Sequence, residues 1–206
     1  GVYPRITAEQ LLDHIATLKG VSSKKERKEL VDFLLQKVNL YDKKNKSVKG
    51  FSGGMKQKLA LCCALIHKPT VLFLDEPTSG LSSQDSENII DFVKELSLKG
   101  QLIFVVIHQP SSDIFKMFDK LIILDIGGYP IFYGNPLESL NYFKRKVDHA
   151  KSEENECPVC GNVNPEVVFE IIESKVLDNY GNVTKNRSIA PKKWFEYYKK
   201  EVEPTI

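Results

Sequence analysis

Two consecutive carboxylates, Asp75 and Glu76, follow an unbroken apolar run at residues 71–74. A continuous run of this kind is typical of a strand that is buried on both faces of a parallel sheet. In doubly wound sheets, ligands bind beyond the carboxyl ends of such strands. One carboxylate there can hold Mg²⁺, often through water, and the next can position or deprotonate an attacking water molecule. The alternative is a strand end with two solvated acids.

The sequence Ser52-Gly53-Gly54 precedes a helical pattern that continues to about His67. Ser52 can cap this helix, and two glycines allow a phosphate to approach the backbone N–H groups closely. The partial positive charge of a helix N-terminus also favours an anion. Because the tripeptide is common in proteins, a plain loop-to-helix junction is the alternative interpretation.

His108 follows a second apolar run, at residues 102–107. An imidazole at the carboxyl end of a strand can contact and polarise a terminal phosphate. Taken by itself, the histidine would be better explained as a surface residue at a strand–loop junction. The histidine supports a functional interpretation because it follows the other two segments in the chain.

The order and spacing of these three segments resemble the nucleotide-binding domain of ABC transporters. The resemblance implies that Asp75 ends the Walker B strand and organises Mg²⁺, that Glu76 is the catalytic base, and that His108 is the switch histidine. It also implies a signature motif that closes on the ATP of a partner subunit, with contributions from Ser52, Gly53, Gly54 and Gln57. The D-loop would consist of Ser79, Gly80, Leu81 and Ser82, the last at a position where the family usually has Asp.

Further segments narrow the resemblance to a subfamily. His-Gln-Pro at residues 108–110, the segment 114–121 and Asn164-Pro165 at the start of a helical pattern look like the G subfamily of pigment, sterol and multidrug exporters. The sequence SGGMKQ at residues 52–57 is more similar to the A subfamily and to bacterial export ATPases. This mixture predicts a bacterial protein of export type and does not indicate a substrate.

The phosphate-binding loop of the family, Gly-x-x-x-x-Gly-Lys-Ser/Thr, does not occur in the 206 residues. That loop supplies most of the N–H groups that surround the phosphates, and the lysine that reaches them. The family places it upstream of the helical subdomain, so truncation is the expectation, and we expect this chain alone not to turn over ATP.

For the intact subunit, the resemblance implies ATP hydrolysis coupled to export at the cytoplasmic face of a membrane. It also implies two kinds of partner, namely a second nucleotide-binding domain in a head-to-tail dimer and a transmembrane domain. Two alternatives remain open at this point. One is a soluble ABC ATPase without a transport function, and the other is a non-catalytic interaction fragment, which the missing loop favours.

The elements that must position these residues indicate an α/β fold. Apolar positions recur at helical spacing in residues 1–68, and from residue 69 apolar strands alternate with helices. We therefore expect a P-loop NTPase-like, mostly parallel sheet with a helical subdomain, truncated at the N-terminus. The expected divisions are a signature subdomain at 1–68, an α/β catalytic core at 69–147 and a C-terminal extension at 148–206.

The charge balance argues against a nucleic-acid partner, because 29 Lys and Arg against 27 Asp and Glu give a net charge of only +2. No apolar run approaches the roughly 20 residues that a membrane helix needs. Cys157 and Cys160 look like half of a zinc site, with His149 as a third candidate ligand. A structural zinc site needs four ligands, so two free thiols are favoured unless two copies share the site.

Overall fold

The computed structural model describes residues 6–147, 162–178 and 180–206. These residues fall into two compact units, which divide between His108 and Gln109. The first contains α1 (Ala8–Leu18), α2 (Lys24–Lys37), α3 (Gly53–Leu65), β1 (Val71–Asp75), α4 (Ser83–Leu98) and β2 (Leu102–Val106). The second contains α5 (Ser112–Met117), β3 (Leu121–Asp125), β4 (Tyr129–Gly134), α6 (Pro136–Lys146), α7 (Glu166–Glu173), β5 (Lys175–Leu177), β6 (Val183–Arg187) and α8 (Pro191–Glu201).

The four α-helices described in the first unit each begin at a hydroxyl side chain. The side-chain oxygens of these N-caps accept a hydrogen bond from the backbone three residues later; the caps are Thr7, Ser23, Ser52 and Ser82. Such a cap satisfies one of the N–H groups that a helix leaves without a partner at its start. Thr7 and Gln10 form a capping box, in which the side chain of each residue accepts a hydrogen bond from the backbone N–H group of the other. Local sequence thus determines where these helices start.

Strands β1 and β2 are parallel and in register from Val71 opposite Leu102 to Asp75 opposite Val106. Helix α4 connects them, which makes a β-α-β unit, and the predicted α/β class is confirmed. The first unit has one hydrophobic core, shared by α1 to α4 and the two strands. The predicted divisions at residues 68 and 147 stay predictions.

The expectation that the first two strands are buried on both faces is wrong. Leu72 and Leu74 are buried, but Val71 and Phe73 on the other face are 47% and 74% exposed. On the same exposed face, Phe73 stacks against Phe104 of β2, with ring centroids 4.8 Å apart. The helices cover only one side of this two-stranded sheet, so the side chains alternate between core and solvent although all of them are apolar.

The second unit is built on an antiparallel pair, β3 and β4. Helices α6 to α8 surround a core in which Trp194 and Phe143 are fully buried, with ring centroids 5.1 Å apart. A second antiparallel hairpin, β5 with β6, was not expected from the sequence. In the described residues, parallel pairing is therefore confined to β1 and β2. No helix in this part of the chain has the length and hydropathy needed to cross a bilayer.

Candidate functional site

The carboxyl ends of β1 and β2 lie at the same edge of their sheet. Asp75 is opposite Val106, and the N–H group of Glu76 donates to the carbonyl oxygen of Val106 at 2.9 Å. His108 follows two residues beyond Val106, and all three candidate side chains, those of Asp75, Glu76 and His108, are exposed to solvent. The parallel register thus brings the backbones of the predicted site residues to one edge, while their chemical roles stay predictions.

The backbone of Glu76 has an unusual conformation. Its φ of 45° lies in the left-handed region, which is unfavourable for a residue with a side chain and costs of order 1–3 kcal/mol. Such a conformation persists only where the surroundings fix it, and the carbonyl oxygen of Glu76 accepts two hydrogen bonds. The donors are the N–H group of Ser79 at 3.0 Å and the side-chain amide of Gln57 at 3.1 Å. The backbone of the predicted catalytic base is therefore strained and is held in place by hydrogen bonds.

The N-terminus of α3 has room for an anionic ligand at its first residue. The hydroxyl oxygen of Ser52 accepts from the N–H group of Met55 at 3.2 Å, as its predicted capping role requires. The N–H groups of Gly53 and Gly54 have no partner within the helix, by helix geometry. Gly53 is exposed, and a Cβ atom placed on it would meet nothing within 4 Å. A phosphate could approach this backbone closely, and the helix dipole would favour it.

Gly54 has a different environment. A Cβ atom placed on it would lie 2.9 Å from the carbonyl oxygen of Gly80 and 2.9 Å from Cδ2 of Leu81. The second glycine therefore allows α3 to pack directly on the predicted D-loop. Sequence reasoning had explained both glycines by the approach of a phosphate, and it missed this packing reason for Gly54.

The predicted D-loop is a tight turn that leads into α4. Gly80 has a φ of 71°, which favours glycine, and the N–H group of Leu81 donates to the carbonyl oxygen of Thr78 at 3.1 Å. Ser82 caps α4 by accepting from the N–H group of Asp85 at 3.2 Å. Asp and Ser are both good N-caps. Serine at a position where aspartate is usual therefore keeps the local capping function.

An ion pair between the buried Lys58 and the partly exposed Asp85, which the sequence did not indicate, joins α3 to the first turn of α4. The Lys58 side chain is only 8% exposed. Further along α3, burial raises the pKa of Cys62, and it raises the pKa of Cys63 to about 11. Both thiols are therefore protonated and unreactive near neutral pH.

No group of three or more His, Cys, Asp or Glu side chains is placed to hold a metal ion in residues 6–147, 162–178 and 180–206. The predicted zinc ligands Cys157, Cys160 and His149 lie outside the described residues. A magnesium site of the nucleotide type needs only one or two protein carboxylates, because phosphates and water supply the other ligands. Asp75 alone suits that requirement, as an exposed carboxylate at a strand end.

Comparison with known proteins identifies similar sequences. The sequence profile of the ABC transporter family matches residues 2–79. The chain is 32% identical to "ABC transporter ATP-binding protein/permease wht-3" of Caenorhabditis elegans, over 97% of this chain and 31% of that protein. It is 36% identical to "ABC transporter G family member 14" of Arabidopsis thaliana, over 69% of this chain and 23% of that protein. "Protein white" of Drosophila melanogaster is 41% identical, over 47% of this chain and 14% of that protein.

The chain thus spans about a third or less of the length of these three relatives. Their names support the G-subfamily features noted at residues 108–110 and 164–165. They come from two animals and a plant, so they give no support to the bacterial origin suggested by the SGGMKQ segment.

Proposed function

This chain belongs to the ABC transporter family, as nucleotide-binding-domain sequence of the G-subfamily type, and from that premise we propose that it contributes the signature motif and the hydrolytic residues of an ATP-driven exporter. The observation that carries the proposal is the common edge of β1 and β2, where Asp75, Glu76 and His108 follow paired strands. An acid pair and an imidazole at adjacent strand ends suit phosphoryl transfer to water.

Each residue would contribute a separate part of the chemistry. Glu76 would orient the attacking water molecule and accept its proton, which needs an exposed carboxylate on a fixed backbone. His108 would contact the terminal phosphate. The N–H groups of Gly53 and Gly54, at the start of α3, would donate to the phosphates of a nucleotide held by a partner subunit. Asp75 would hold Mg²⁺, which neutralises charge on the phosphates when it is bound.

The composite nature of this site implies partners. The sequence contains no Gly-x-x-x-x-Gly-Lys-Ser/Thr, so a phosphate-binding loop would have to come from outside these 206 residues. A second nucleotide-binding domain would place its phosphate-binding loop, with bound ATP, against the signature motif of this chain. A transmembrane domain would be the second partner, as the word "permease" in the name of the nematode relative suggests. The site would then act at the cytoplasmic face of a membrane.

A second function, that of a non-catalytic interaction fragment, is favoured by one specific observation, the missing phosphate-binding loop. A soluble ABC ATPase without transport is less well supported, because the relatives are named as transporters. ATP hydrolysis by the full-length gene product separates the catalytic proposal from the interaction fragment.

The proposal is tested by Glu76→Gln in the full-length gene product. The amide has the shape of the carboxylate but cannot accept the proton, so we expect ATP binding to persist and turnover to fall by at least about 100-fold. Turnover is measured as phosphate release, and binding with a fluorescent ATP analogue. Glu29→Gln is the matched control, because the side chain of Glu29 is 68% exposed on α2. Equal turnover in Glu76→Gln and the parent protein would show that Glu76 is not the catalytic base, and it would overturn the proposed function.

A further inference from the structure

One face of α3 contacts the segment 76–85, which begins at Glu76, at three points. Gly54 packs on the carbonyl group of Gly80, Gln57 donates to the carbonyl oxygen of Glu76, and Lys58 pairs with Asp85. Residues 54, 57 and 58 are spaced by three and four positions, which places them on one side of a helix. The contacts extend over residues 76–85, so α3 touches this segment from its strained beginning to the first turn of α4.

The contact at Glu76 differs from the other two because it is made to the peptide of the proposed base. The N–H group of that residue is held by Val106 at 2.9 Å, and Ser79 and Gln57 share its carbonyl oxygen. The bonds to Val106 and Ser79 come from the strand pair and from the turn itself. Of these three hydrogen bonds, the one from Gln57 comes from α3, the helix that begins at the predicted signature motif and is called the signature helix below. This bond therefore links the position of α3 to the backbone of Glu76.

We propose that Gln57 is a positioning residue that aligns Glu76 through the peptide carbonyl, and not a ligand of ATP. This inference rests on the proposed function of Glu76, and it replaces the nucleotide-binding role that the sequence had suggested for Gln57. The side-chain amide of Gln57 is committed to an acceptor 3.1 Å away in its own chain. When α3 moves onto a nucleotide, the bond carries that movement to the base.

The two roles predict different kinetics in the full-length gene product. A ligand of ATP lost in Gln57→Ala would raise KM, whereas a lost positioning contact lowers kcat and leaves KM within about twofold. We expect kcat to fall about tenfold or more, since small displacements of a catalytic group can cost up to about 100-fold. Gln57→Glu keeps the shape but has no N–H donor and should be no better than Gln57→Ala. Gln57→Lys retains a donor and should recover part of the loss.

Hydrogen exchange on the 206-residue chain provides a readout that does not depend on ATP hydrolysis. Loss of the Gln57 contact would let the turn at Glu76 open more often, so we expect the amide of Ser79, which donates to the same carbonyl oxygen, to exchange faster in Gln57→Ala. The urea midpoint should stay near that of the parent chain, since one partly exposed hydrogen bond is removed. Gln36→Ala, an exposed glutamine on α2, is the matched control and should change neither the exchange nor kcat.

The outcomes separate this inference from the function on which it rests. A raised KM with unchanged kcat, or unchanged exchange at Ser79, overturns the positioning role and leaves the role of Glu76 intact. Equal turnover in Glu76→Gln overturns the proposed function, whatever Gln57 does. Reduced kcat in Gln57→Ala and Gln57→Glu, partial recovery in Gln57→Lys and faster exchange at Ser79 together support the inference.

Discussion

The two glycines of the signature segment have different physical reasons to lack a side chain. Gly53 is exposed, with open space where a Cβ atom would lie, whereas Gly54 sits against the backbone of Gly80. In the isolated chain, only Gly54 is required by packing. The requirement at Gly53 would arise when a phosphate is present, because only then does something need to approach that backbone.

Alanine substitutions in the 206-residue chain test this difference. We expect Gly54→Ala to lower the free energy of unfolding by about 1–3 kcal/mol, because the backbone of the turn cannot give way without strain. Gly53→Ala, the matched control, should be neutral or stabilising by up to about 1 kcal/mol, since alanine favours a helix more than glycine does. Urea denaturation followed by circular dichroism gives both values. A Gly54→Ala chain as stable as Gly53→Ala would contradict the close packing of α3 on Gly80.

At the residue scale, the placement of Asp75, Glu76 and His108 at one sheet edge could be predicted from local patterns, while their chemical roles stay predictions. Asp75, Glu76 and His108 each follow an apolar run, and parallel pairing is enough to bring such positions to one edge. The hydrogen bond of Gln57 and the ion pair of Lys58 could not be predicted, because their partners lie 19 and 27 residues away in the chain. No local pattern encodes which surface of a helix will meet a distant turn.

Helices α3 and α4 are joined by an ion pair whose two members are buried to different extents. The side chain of Lys58 is 8% exposed, and that of Asp85 is 34% exposed. Removal of one partner leaves the other charge without compensation, and this is most costly for the more buried group. Substitution of Asp85 should therefore cost more stability than substitution of Lys58.

We expect Asp85→Ala to destabilise the chain by about 2–4 kcal/mol, because it leaves the buried ammonium group of Lys58 without its carboxylate partner. Lys58→Met should cost less, about 1 kcal/mol or below, since methionine fills the space and the remaining carboxylate can be solvated. The double variant should resemble Lys58→Met, which a double-mutant cycle of unfolding free energies would reveal. If Lys58→Met proves the more harmful substitution, the ammonium group is better solvated than its exposure indicates.

At the element scale, the sequence located the strands β1 and β2 but not their environment. A run such as residues 71–74 is apolar at every position, so its pattern cannot distinguish two covered faces from one. The helices cover the face of Leu72 and Leu74 and leave Phe73 to stack on Phe104. The hairpin of β5 and β6 was missed for the opposite reason. Residues 183–187, VTKNR, are largely polar and exposed, and lack the apolar alternation that indicates a half-buried strand.

At the scale of the whole chain, the proposed function makes the site one half of a composite arrangement. The described residues supply the N-terminus of a helix at Gly53 and an acidic strand end at Asp75. A helix N-terminus stabilises an anion by only about 0.3–1 kcal/mol at an exposed position. A dissociation constant of about 1 mM already corresponds to about 4 kcal/mol of binding free energy. The interactions of this helix N-terminus therefore fall well short of that value.

We therefore expect the 206-residue chain alone to show no saturable ATP binding with a dissociation constant below about 1 mM, and no turnover. Titration calorimetry with MgATP measures the binding, and phosphate release measures the turnover. A full-length gene product that contains Gly-x-x-x-x-Gly-Lys-Ser/Thr is the positive control, because its backbone N–H groups and lysine would supply the missing interactions. Saturable binding below that concentration by the short chain would mean that its own residues form a complete nucleotide site. The signature helix would then bind ATP without a partner, and the composite arrangement would be wrong.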